Sequence, residues 1–193
     1  MQSRSGGTDV ITAIGILEFS SIAAGFEAED AMLKAGAVTL TVARTICSGK
    51  FLVAVHGDVD AVRAALDAGK IAASGMVIDE LALPNIHPAV LNALGRSVDL
   101  APGDRDAIGV VETFSAVAAV LAADAAVKAA DVILFQLHLA MAVGGKGYFC
   151  MTGDVASVRA AVDAAVESAS STGLLVGTTI LPRPREELFR ETL

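Results

Sequence analysis

Cys47, Cys150, His56, His87 and His138 are the side chains here whose types suit metal ligation or nucleophilic chemistry. Cys47 lies in Arg44-Thr45-Ile46-Cys47-Ser48-Gly49-Lys50-Phe51, where Ser-Gly between two apolar runs marks a tight turn joining two strands. A turn cysteine without a partner in sequence is ordinarily an incidental small residue. Cys150 falls in the alternating run Gly-Tyr-Phe-Cys-Met-Thr-Gly and is expected in the core. His56 and His138 stand at no metal-like spacing from another His or Cys, so solvent or a subunit contact is expected for both. The glycine-rich stretch Ala142–Gly147 lacks the length and trailing Ser/Thr of a phosphate loop. No Ser or Cys has a nucleophile-elbow context. Glu18 and Glu112 recur just before a helix and read as capping or pairing groups, so the chain is not expected to be an enzyme.

Composition narrows the partners. Among 193 residues, 14 are basic and 22 acidic, a net charge of −8. Nucleic acids and anionic membranes require clustered Lys and Arg, so neither is expected as a partner. Only 4% of residues are aromatic and Trp is absent, which leaves little for base stacking. The apolar share of 54% is ample for a core plus burial against partners. Met1–Val10 lacks the apolar core of a signal peptide, and the run Ala116–Ala130 is broken by Asp124 and Lys128, too polar for a membrane span. Two cysteines without a secretion signal imply a reducing compartment and no disulfide framework.

The chain is written twice. Residues 13–40 align with 107–134, and 49–69 with 145–165, each with about half the positions identical. The register slips by two residues inside the turn that carries Cys47. Each copy reads as strand (13–18; 107–112), helix, two strands joined by the glycine-containing turn (38–45 with 50–55; 132–139 with 148–151), helix and strand (76–83; 174–181). A proline segment and a short helix close each copy. Ser21 and Ser115 are placed to cap the first helices, and Asp58 and Asp154 the second. Asp30/Lys34 and Asp124/Lys128 are one turn apart and read as solvated pairs. Strand-helix-strand-strand-helix-strand is the split βαβ, ferredoxin-like order, so the fold class is α+β with two tandem units. The expected division is a disordered tail at 1–12, a first domain at 13–94, a linker at 95–106 and a second domain at 107–193.

The motifs Ala13-Ile-Gly-Ile-Leu-Glu-Phe-Ser-Ser21, Asp30-Ala-Met-Leu-Lys34 and Thr45-Ile-Cys-Ser-Gly-Lys-Phe51 strongly resemble a bacterial microcompartment shell domain, and their counterparts in 107–155 resemble a second. The closing segments Pro84-Asn-Ile-His-Pro88 and Leu181-Pro-Arg-Pro-Arg-Glu-Glu-Leu188 match the family as well. The likeness spans 13–190. It is to the tandem-domain, trimer-forming, unpermuted members, above all those of propanediol utilisation.

The resemblance implies a homotrimer whose six domains form a pseudo-hexameric disc, tiling edge to edge with other shell proteins in the bacterial cytoplasm. It places Lys34 and Lys128 at the disc edge, supported by Arg183, with His87 as its weaker counterpart in the first copy. It turns the second-to-third-strand loops toward the axis as the pore. The pore-lining residues are then Ile46, Cys47, Ser48 and Gly49 in one copy, and Met141, Ala142, Val143, Gly144 and Gly145 in the other. Three Cys47 thiolates on a threefold axis match three corners of a [4Fe–4S] cluster or the ligand set of a [3Fe–4S] cluster. The resembled relative carries such a cluster there, for electron transport or cluster exchange, with a luminal redox enzyme as a further partner. Ser48 stands where that relative has proline, which leaves this turn more flexible and keeps a polar pore residue. Two alternatives stay open: a tile with a gated metabolite pore and no cluster, and a small-molecule-sensing tandem ferredoxin-like module.

Overall fold

Strand β1 (Ala13–Phe19) is buried along its whole length because it lies inside a four-stranded sheet. The computed structural model describes residues 13–95 and 98–191; the expected tail at 1–12 lies outside them. In the first unit β1 is followed by α1 (Ile22–Ala35), β2 (Val38–Ile46), β3 (Lys50–Gly57), α2 (Val59–Ala72), β4 (Val77–Pro84) and α3 (Pro88–Gly95). The second unit repeats the order with β5 (Ala107–Thr113), α4 (Ala116–Ala129), β6 (Ile133–Leu139), β7 (Gly147–Gly153), α5 (Val155–Ser171), β8 (Leu175–Leu181) and α6 (Glu186–Glu191). Sheet orders are β2-β3-β1-β4 and β6-β7-β5-β8, and every pairing is antiparallel. That is the split βαβ arrangement expected from the sequence.

Local chemistry starts the helices where the sequence indicates. The Ser21 hydroxyl accepts from the Ala24 amide at 3.3 Å and Ser115 from Ala118 at 3.0 Å. Asp58 caps α2 through the Asp60 amide and Asp154 caps α5 through Ala156 and Ser157. The first helix of each unit approaches its sheet closely, by opposite means. A Cβ on Gly25 of α1 would stand 2.5 Å from the Phe51 ring, so the helix yields to the strand's bulk. At the same place in the second unit the strand yields: a Cβ on Gly147 would stand 2.6 Å from Ala119 of α4.

Packing joins the two units into one body. On the helix side of the first sheet, Leu17, Phe19, Met32, Val53 and Leu66 form one core. The opposite face, with Ile14, Ile16, Val42, Leu52 and Ala54, is covered by α3 and by α4 of the second unit. Helix α4 is therefore buried on nearly every side, and Asp124 goes with it. Its carboxylate accepts from the His87 amide at 2.8 Å at the start of α3, and its other oxygen pairs with Lys128. The Asp124 end of the pair is thus buried, unlike the fully solvated pair read from sequence, because the first unit closes over it, while Lys128 stays exposed. The expected linker also takes part: Leu100 packs with Ile108, Phe135, Cys150 and Phe189, and Arg105 pairs with Glu186 at 3.1 Å.

Asp124→Ala leaves the His87 amide without its acceptor. We expect the urea midpoint to fall by the equivalent of about 1–3 kcal/mol. Asp30→Ala removes an exposed pair, so in the separated chain we expect a loss of less than about 1 kcal/mol.

Candidate functional site at the paired turns

The turns between β2 and β3 and between β6 and β7 are held side by side within one chain. The Cys47 amide donates to the Ala140 carbonyl at 2.8 Å, and the Arg44 guanidinium reaches the Leu139 carbonyl at 3.4 Å. The sheet registers give the two turns different lengths. Thr45 pairs with Phe51 in one unit and Leu139 with Gly147 in the other, which leaves 46–50 against 140–146. The second turn carries the two extra residues. Lys50 and Lys146 flank the turns and are each tied to a glutamate, Glu18 at 2.6 Å and Glu112 at 2.9 Å. These are the pairing roles expected for the two glutamates, and they neutralise the lysines nearest the turns.

The first turn is a single 3-10 turn over Cys47–Gly49, with Ser48 at φ 65° and Gly49 at φ 69°. Serine tolerates this left-handed conformation. Proline, fixed near φ −65°, does not, so Ser48 permits a turn shape that a proline here would forbid. In the second turn Ala140, Ala142, Gly144 and Gly145 all have positive φ. The amides of Gly145, Val143, Gly144 and Ala142 come from this turn, close enough to the Cys47 thiol to act on it. They hold its thiol below the ordinary value, the Gly145 amide contributing most. A Cβ on Gly49, Gly144 or Gly145 would meet nothing within 4 Å, so both tips border open space.

The other sequence-flagged residues are distributed as follows. Cys150 is buried, and burial pushes its thiol up to about 12, in keeping with a core position. His56 is hydrogen-bonded to Thr41 at 2.7 Å. His138 stacks on Tyr148 and donates to the Met141 carbonyl, which steadies the start of the second turn. Ile46 is buried behind Cys47. Lys34 pairs with Asp30 on the exposed end of α1, and Lys128 with the buried Asp124. Arg183 is exposed at φ 48° and follows the Ile108–Leu181 register pair. Ile14–Leu83 is the same pair in the first unit, so the counterpart of Arg183 is Asn85, at φ 54°, and not His87. His87 corresponds to Arg185: the bonds Val90 N–H to His87 and Leu188 N–H to Arg185 repeat.

Cys47 fits the thiolate cluster implied by the sequence. Nearby backbone amides favour the ionised form of its thiol, and the neighbouring Gly49 at the turn tip borders open space. Among the described residues, no three His, Cys, Asp or Glu side chains of one chain gather to hold a metal. A cluster held through Cys47 would take its further thiolates from other copies of the chain. The sequence motifs located Cys47. They did not reveal the amides over it, because those come from a turn almost a hundred residues later. In the native protein at neutral pH we expect iodoacetamide to alkylate Cys47 and leave Cys150 unmodified, read by peptide mass spectrometry. Labelling of Cys150 at a comparable rate would contradict the assigned environments.

The comparisons with known proteins agree with this architecture. The BMC domain model matches residues 13–86 and again 107–184. The chain is 50% identical over 181 residues to the bacterial microcompartment shell protein PduT of Citrobacter freundii, covering 93% of this chain and 96% of that protein. It is 33% identical to the carboxysome assembly protein CcmO of a Synechocystis strain, over 92% of this chain and 63% of that protein. A crystal structure of a microcompartment protein from Desulfitobacterium hafniense superposes with a TM-score of 0.89 at 43% identity, covering 94% of this chain and 99% of that one. Among the described residues no helix is long and apolar enough to cross a membrane. With a BMC domain in each half and likeness to a microcompartment shell protein over 93% of the chain, the chain belongs to the BMC-domain family of bacterial microcompartment shell proteins.

Proposed function

We propose that the chain is a non-catalytic tile of a microcompartment shell in the bacterial cytoplasm. It closes as a homotrimer with three Cys47 thiolates at the axis, which hold an iron–sulfur cluster. Support for the ring comes from one surface that is covered at one end of the chain and bare at the other. Val120 of α4 is 0% exposed beneath the first sheet and α3, whereas its counterpart on α1, Phe26, is 60% exposed. Ile22 and Leu33 are exposed where Ala116 and Val127 are buried. The Asp124 side chain is 6% exposed and accepts the His87 amide, while that of Asp30 is 65% exposed. The second sheet repeats the covering face, with Ile108 and Cys150 beside Phe189 of α6. A second copy placing that face over α1 brings the Arg185 amide to Asp30. Such a head-to-tail contact either closes into a ring or grows into a filament. Closure at three chains makes six equivalent domain junctions. Lys34, Lys128 and Arg183 then lie toward neighbouring discs and other shell proteins.

The observation that carries the axial reading is Cys47, an ionisable thiol at the tip of a turn facing open space. A bound cluster would supply one-electron transfer, or itself be exchanged, between the two sides of the shell. The chain's part is to bring one thiolate per copy to the axis and to leave Ser48 at the rim.

Phe26→Glu places a charge in the proposed junction. By light scattering we expect it to convert trimers to single folded chains; an unaltered trimer would refute the junction. Anaerobic reconstitution with iron and sulfide should give a brown protein whose visible absorption and EPR signal vanish in Cys47→Ser. A wild-type protein that stays colourless would sink the cluster. It would favour instead a metabolite pore opened by the second turn, whose Gly144 and Gly145 at positive φ are suited to hinge motion.

A further inference from the structure

The two surfaces that meet between copies in the proposed ring differ in charge from the two that meet within the chain. Inside the chain, α3 brings Val90 into the core shared with α4, and the His87 amide reaches Asp124. At the other end, Leu188 of α6 stands in the place of Val90 and is exposed, and Arg185 stands in the place of His87. The receiving helix has changed as well. Glu27 and Glu29 lie at the same spacing from Asp30 as Leu121 and Ala123 from Asp124. Ala123 is fully buried in the joined core and Leu121 is half-buried. The junction within the chain therefore has two uncharged side chains at these positions on the helix. The junction between copies has two carboxylates there, and an arginine arriving beside them.

We propose that the α1 face of one copy takes Arg185 of the next as its cation, seated beside Glu27 and Glu29. The contact between copies is then ionic where the contact within the chain is neutral. This inference rests on the head-to-tail ring and adds the group that selects what covers α1. Asp30 already has Lys34 and, in the ring, the Arg185 amide, so the guanidinium is left for the glutamates on either side of it around the helix. Among the described residues Glu27 and Glu29 form no ion pair. In the separated chain Arg185 meets Glu187 at 3.4 Å with both side chains largely in solvent, a pair of small worth. Glu186 is held by Arg105 of its own domain and does not compete. Covering a carboxylate without a cation is costly. A shell domain with a neutral residue at this place would leave Glu27 and Glu29 in that state, so the α1 face favours another copy of this chain.

The test follows trimer dissociation on dilution, by light scattering, in wild type, Arg185→Gln, Glu27→Gln/Glu29→Gln, and all three changes combined. Arg185→Gln should raise the concentration of half-dissociation by about tenfold or more. Replacing both glutamates should weaken the trimer when Arg185 is present and strengthen it when Arg185 is already Gln. Arg159→Gln on α5 removes the same charge elsewhere and should match wild type. Added salt should weaken wild type more than Arg185→Gln, since only wild type has the pair to screen. Circular dichroism checks that each chain is folded. An Arg185→Gln trimer as stable as wild type, or losses that simply add, overturn the ionic junction and leave the ring standing. A wild-type chain that stays single at every concentration overturns both.

Discussion

A helix that is apolar on nearly all sides cannot end at solvent, and burial of α4 is the constraint from which the rest of the chain's organisation follows. Its own sheet covers one side, and the first domain's sheet and α3 cover the other. The contact is not only apolar: Asp124 is buried with it and satisfied by the His87 amide and Lys128. Removing an acceptor from such a site costs more than an average hydrogen bond contributes, so the junction is specific as well as adhesive. Since the chain is a duplication, the helix equivalent to α4 at its other end, α1, lacks such a cover. Phe26 on α1 marks the bare half, and burial of a phenylalanine side chain alone is worth about 1.5–3 kcal/mol.

The pair of turns shows what duplication permits. Equivalent segments began alike and now differ in length, backbone conformation and chemistry, while the glutamate–lysine pair behind each is retained. Retention of that pair keeps the strand ends in register as the tips diverge. The two thiols of the chain illustrate the consequence. Cys150 lies in apolar surroundings that push its thiol up to about 12. Cys47 lies among amides and is lowered. The same side chain is shifted in opposite directions at the two sites because of what surrounds it.

Most of the fold was legible because repetition exposes elements that single-segment patterns leave ambiguous. Ser21, Ser115, Asp58 and Asp154 cap as read, and the sheet order follows from the order of elements. What escaped was anything set by contact between the copies. Asp30/Lys34 and Asp124/Lys128 are identical in sequence, yet Asp30 is exposed and Asp124 buried, since burial depends on which copy has a neighbour in the same chain. The equivalence of Arg183 with Asn85 was hidden by a shift in offset that only the strand register and the shared positive φ disclose. Cys47 was visible, but its amide surroundings were not: backbone donors have no side-chain signature, and these lie across the domain junction.

Fusion of two domains also changes what symmetry can place on an axis. A ring of six identical domains puts the same residue at the centre six times or not at all. A ring of three fused pairs lets alternate positions differ, so three thiols can be interleaved with three turns that carry none. Three Cys47 thiolates would be the residues to hold the proposed cluster there. The turns without thiols are then not idle in the proposed ring. Each stands beside a Cys47 of its own chain, joined to it by the Cys47–Ala140 bond, so the thiol and the turn next to it are inherited together. Two unfused domains could supply the same groups, but their relative placement would depend on a separate association. Covalent linkage makes it part of folding.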